Sequence, residues 1–192
     1  IESALLHVIH RIAAKDLVTG SLDAELKGII RERDNIVRDR FDSIIEKSPV
    51  LDLDKPVSRE DFFKLAAKEL SPRVGVTEPE LVEAFRARER ESSTVLAPGL
   101  AIPHVIIEGE GAFDIILVRA REGIHLADDK PPVNIAFVLV GTRDERTLHL
   151  QALSAIAQVV KSPDFEERWT GAKSDQALRD IVLLAERRRV SA

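Results

Sequence analysis

The chain has 192 residues, 44% hydrophobic and 32% charged, with a net charge of −5. That is room for one medium domain with an appendage, and a composition that folds rather than stays disordered. No cysteine is present, which excludes disulfides, thiolate chemistry and cysteine metal sites, and the acidic balance gives no basic face for nucleic acid.

Residues 1–47 read as helix, a short one over about 2–17 and a longer one over about 22–47. Gly20 and Ser21 mark the break between them, and Leu22, Leu26, Ile29, Ile30, Phe41 and Ile45 recur at helical spacing. The chain starts at Ile1 and contains no methionine, so it is expected to be a piece of something longer. Pro49 and Pro56 bracket a strand-like Val50–Leu53, where the main domain, residues 48–192, is expected to begin. Ser58 with Asp61, Thr77 with Glu80 and Thr142 with Glu145 resemble capping boxes, predicting helices to about Leu70, Glu91 and Lys161.

Between the second and third of these lie two apolar runs, Phe113–Ala120 and Val133–Val140. Both are rich in β-branched residues and read as strands buried on both faces. Pro163 breaks the chain before a short helix around Trp169, and Ser174–Arg188 reads as the last helix. The expected fold is α/β: a mixed, mostly parallel sheet of about five strands, helices on both faces, and an N-terminal helical extension. The most apolar run, Val133–Gly141, is far short of the ~20 residues of a membrane span. The cysteine-free, acidic chain fits a cytoplasmic location, with membrane contact expected only through an upstream domain, and no signal peptide is visible.

Five histidines could carry chemistry. His104 follows Gly99-Leu100-Ala101-Ile102-Pro103, a turn and short strand whose proline pushes Ile102 toward extended backbone and presents the imidazole rigidly. It reads as a nucleophile or as an idle loop histidine. His149 shares a helix face with Ala152, Leu153, Ile156 and Val160, so it is either a core histidine or a second imidazole at the rim of a site. His125 reads as an incidental surface residue, and His7 with His10 as helix surface, since two ligands do not make a zinc site. Gly109 and Gly111 read as a turn.

The stretch Arg88-Glu89-Arg90-Glu91-Ser92-Ser93-Thr94 through Ala101-Ile102-Pro103-His104 resembles the signature of type 2 enzyme IIA domains of the phosphotransferase system, the mannitol, fructose and nitrogen-regulatory family. Pro132–Leu139 is similar to the family's strand, and Leu148–Ser154 to its second-histidine helix; the likeness covers about Val50 to Arg187. The resemblance implies a phosphohistidine carrier, a phosphotransferase in the loose sense, with His104 as acceptor and His149 as the second active-site histidine. It places Arg88 and Thr94 beside the phosphoryl group. It implies no metal and no organic cofactor. Its partners would be a histidine phosphocarrier protein and a downstream IIB component. The alternative is a regulatory cytoplasmic tail of an amino-acid permease-like transporter, with residues 1–47 as connector. Ala97-Pro98 replaces a commonly Gly-rich turn, and Val105-Ile106 stand where small or polar residues are common.

Overall fold

The computed structural model describes residues 25–30 and 37–189 of the chain. The helix expected over 2–17, and His7 and His10 with it, lie outside them; residues 25–30 are helical. The chain divides into two compact units, residues 1–37 and 38–192. The second carries the sheet and both histidines of interest.

It opens with helix α1 (Arg40–Ile45), where Asp39 accepts from the Asp42 backbone N–H and Asp42 accepts from that of Asp39. This reciprocal cap, with residues 37–39 outside any helix, rules out the continuous 22–47 helix of the sequence reading. Capping two orphan N–H groups locally outcompetes continuing the apolar spacing. Strands β1 (Val50–Leu53) and β2 (Val57–Ser58) follow, then α2 (Arg59–Val74) and α3 (Glu78–Glu91). Ser58 caps α2 through the Asp61 N–H, and Thr77 and Glu80 form the full reciprocal box on α3. α2 runs past the expected Leu70 to Gly75, whose φ of 76° lets the chain turn out of the helix.

Three short strands come next: β3 (Val95–Ala97), β4 (Leu100–Ala101) and β5 (His104–Ile107). Then come the two long ones, β6 (Phe113–His125) and β7 (Val133–Thr142). A 3-10 turn (Arg143–Glu145) leads into α4 (Arg146–Val159), followed by α5 (Phe165–Gly171) and α6 (Asp175–Leu183). Thr142 makes no side-chain cap here. Its hydroxyl goes to Asp144 and to the Ala112 carbonyl, and Glu145 goes to Arg40 instead of back to the helix start. Distant partners thus displace the expected capping box.

The sheet is mixed, with order β1-β6-β7-β4-β3; β2 also pairs with β6 and β5 with β7. β6 and β7 are antiparallel, as are β3 and β4, while β1 and β2 run parallel to β6, and β4 and β5 parallel to β7. Alternate residues of β6 and β7 feed two cores, as their unbroken apolar runs require. Ile116, Val118, Val138 and Val140 meet α2 and α3 on one face. Ile115, Leu117, Phe137 and Leu139 meet α1, α4, α5 and α6 on the other. β4 and β5 both lie along β7, joined by Ile102-Pro103, so the chain runs straight up the sheet to His104.

Candidate functional site

His104 is the first residue of β5, opposite Leu139. Val105 and Ile107 alternate into the α2/α3 core. His104 and Ile106 therefore project on the α4 side of the sheet. Pro103 cannot donate, but its carbonyl accepts from the Leu139 N–H at 2.9 Å, which holds the strand in register up to the imidazole.

Both ring nitrogens of His104 are engaged. Nδ1 lies 2.7 Å from the Ile102 carbonyl oxygen, and Nε2 lies 3.2 Å from Nη2 of Arg88. A carbonyl only accepts and a guanidinium only donates. The two partners together place the proton on Nδ1 and the lone pair on Nε2. Arg88 is itself braced, since its Nη1 donates to the Ser92 carbonyl and hydroxyl, both at 3.0 Å.

His149 comes from α4, with its ring centroid 5.7 Å from that of His104 and the planes at 68°. Phe113 packs on it edge-on at 5.6 Å. Gly141 makes room for this cluster: a Cβ there would sit 2.6 Å from the Phe113 ring and 3.5 Å from Nδ1 of His149. His149 is 4% exposed and its Nδ1 is buried with no hydrogen-bond partner. Burial, reinforced by the neighbouring His104, pushes its pKa down to about 4, so it is neutral at pH 7.

Thr94 is buried beneath the site. Its hydroxyl donates to Glu89 at 2.6 Å, and Glu89 also accepts from the Thr94 N–H. The Thr94 carbonyl in turn accepts from Ile102, whose own carbonyl holds His104. The structure thus sets Arg88 and His149 each against His104, and links Thr94 to His104 through the backbone of Ile102. His125 is exposed at the far end of β6, away from this cluster. Gly109 and Gly111 both have positive φ, as a turn requires.

A cleft of about 440 Å³ opens over the pair, lined by His104, Ile106, Arg143, Arg146, His149, Leu150 and Leu153. Ile106 is 47% exposed and Leu150 55%, so one wall is apolar and open to a partner. Arg143 and Arg146 escaped the sequence reading, although Arg146 stands one turn before His149 and so shares its face. A larger cavity, about 720 Å³, lies between α1, α4 and residues 187–189 and contains no histidine. Among the described residues no group of three His, Asp or Glu side chains could hold a metal ion.

Residues 43–184 match the family model "Phosphoenolpyruvate-dependent sugar phosphotransferase system, EIIA 2". The chain belongs to that family. It is 31% identical over 125 residues to the nitrogen regulatory protein of Klebsiella oxytoca, covering 64% of this chain and 75% of that one. The crystal structure of nitrogen regulatory protein IIA-Ntr from Neisseria meningitidis superposes with a TM-score of 0.67 at 26% identity, covering 75% of this chain and 99% of that one. The complex of enzyme IIAMTL and phosphorylated enzyme IIBMTL from Escherichia coli shares the fold, with a TM-score of 0.57 at 18% identity over 69% of this chain and 92% of that one.

Proposed function

We propose that this EIIA domain carries a phosphoryl group on Nε2 of His104, taking it from a histidine phosphocarrier protein and passing it to a IIB component. The observation that carries this reading is the fixed tautomer: Nδ1–H donates to the Ile102 carbonyl at 2.7 Å while Nε2 faces the Arg88 guanidinium at 3.2 Å.

The chemistry follows from that geometry. The Nε2 lone pair forms the new N–P bond as the donor's P–N bond breaks, and the bonding pair stays on the donor nitrogen. A phosphorylated donor imidazolium becomes neutral imidazole, while His104 becomes a phosphorylated imidazolium that keeps its Nδ1 proton, so no proton needs to move. The Ile102 carbonyl stabilises the positive charge that appears on the ring. Phosphoryl transfer passes through a loose transition state with charge on the equatorial oxygens, so positioned cationic donors supply most of the catalysis. Arg88 is the donor nearest those oxygens. His149, neutral by burial, can offer an N–H to them without placing a second full charge beside the His104 ring. Thr94 and Glu89 act from behind by fixing the backbone on which Ile102 holds the ring.

The open apolar wall of Ile106, Leu150 and Leu153 suits a protein partner rather than free substrate. A IIB component is the acceptor this reading names, in line with the Escherichia coli complex of the same fold. Among the described residues no helix is long and apolar enough to cross a membrane, and a cytoplasmic place fits the role. The alternative, a regulatory tail of a transporter, rests on residues 1–47, and no observation favours it.

The test is intact mass after incubation with phosphoenolpyruvate, enzyme I and the phosphocarrier protein. One acid-labile phosphoryl group is expected on the native chain and none on His104→Ala. Uptake by His104→Ala rejects the assignment.

A further inference from the structure

The turn Arg143-Asp144-Glu145-Arg146 mixes charges as a solvated surface turn would, but its four side chains are not equivalent. Asp144 turns away, accepting from the Gly111 N–H at 2.8 Å and from the Thr142 hydroxyl. Glu145 is held by a two-pronged ion pair with Arg40, at 2.9 and 3.1 Å. Both carboxylates of the turn are therefore occupied outside the His104 cleft. Arg143 and Arg146 line that cleft and hold no carboxylate among the described residues. Arg73, Arg86, Arg90, Arg119 and Arg187, by contrast, each hold one. In a chain of net charge −5, no acidic residue lines the cleft at all.

We propose that Arg143 and Arg146 form an outer anion site for a phosphate dianion, holding the phosphoryl group at the mouth of the cleft as it approaches or leaves His104. Two unpaired guanidiniums suit tetrahedral oxygens, and the apolar wall of Ile106, Leu150 and Leu153 lowers the local dielectric and strengthens the attraction. The cleft volume, about 440 Å³, is that of a small-molecule site rather than of a single side chain. Arg88, touching Nε2, serves the bound phosphoryl group; Arg143 and Arg146 serve the one in transit. This assignment rests on the phosphoryl-carrier reading for its purpose, but anion binding is measurable without it.

The experiment uses the full chain and two probes. Inorganic phosphate is titrated into His104→Ala, which cannot be phosphorylated at that site, following the His149 ring signals by NMR. Saturable binding is expected, weakened about tenfold when Arg143→Gln and Arg146→Gln are added, and unchanged by Arg90→Gln with Arg168→Gln, two exposed arginines outside the cleft that control for net charge. Phosphoramidate, a small phosphoryl donor whose P–N bond breaks with loss of ammonia, is then offered to the chain with His104 intact. The Arg143→Gln, Arg146→Gln protein should show a KM raised about tenfold and a kcat changed far less. Phosphate binding or KM indifferent to the two arginines overturns the outer site, even if His104 is phosphorylated. Arginine-dependent phosphate binding without phosphorylation of the native chain by any donor upholds the anion site and rejects the carrier reading.

Discussion

Arg119 and His149 are both polar groups shut inside the same half of the molecule, and the protein treats them oppositely. The Arg119 side chain is 4% exposed and saturated. Nε and Nη2 donate to Asp52, and Nη1 reaches the carbonyls of Trp169, Thr170 and Ala172. It ties β1, β6 and the end of α5 together, and the guanidinium holds the Asp52 carboxyl below the usual carboxylate range. His149 is equally buried, yet one ring nitrogen has no partner and the ring faces another imidazole. A buried polar group left short of partners costs stability. The saturated cluster is architecture; the unsatisfied one lies beside His104, at the proposed phosphoryl site.

The largest effect should come from breaking the saturated cluster. Arg119→Leu orphans the carbonyls at the end of α5 and leaves Asp52 without its cation, with an expected loss of about 3 kcal/mol by denaturant unfolding. A loss below about 1 kcal/mol would make the cluster dispensable and dissolve the contrast.

Arg88→Gln should do the reverse. The side chain sits at the site and holds no core together, so stability should change little. Phosphorylation of His104 should slow about 100-fold, the order seen when a single transition-state donor is removed. An unfolded variant would move Arg88 to the architectural side of the comparison.

The histidine pair should also be visible in the pH dependence of stability. The folded-state pKa of His149, about 4, lies below the ordinary value of 6.5. Between those values the unfolded chain binds a proton that the folded chain refuses, so stability falls as pH falls. From pH 7 to pH 5 this one residue should remove about 2 kcal/mol. His149→Gln should lack that component, leaving a shallower pH curve. Identical slopes for the two proteins would mean that His149 is not held neutral.

Local features of the chain were legible where their causes were local. The Thr77–Glu80 box formed as read because both partners are three residues apart. His104 stood out because Pro103 and the residues before it shape one short stretch of backbone. The Thr142–Glu145 box failed because Arg40, 105 residues away, takes Glu145. The same remote pairing hid Arg143 and Arg146: which members of an R-D-E-R turn face a cleft depends on what removes the other two. Arg119, inside the apolar run read as strand, gave no sign that Asp52, 67 residues earlier, would receive it. The long helix expected over 22–47 was lost to the Asp39 cap, since apolar spacing continues through residues that a polar cap interrupts.

In the proposed transfer the Ile102 carbonyl fixes the His104 tautomer and leaves Nε2 as the nucleophile. The most direct measurement is NMR of the phosphorylated, 15N-labelled protein, reading which ring nitrogen couples to phosphorus. Coupling at Nε2 of His104, with Nδ1 still protonated, is the predicted result. A phosphoryl group on Nδ1, or on any other histidine, would contradict it.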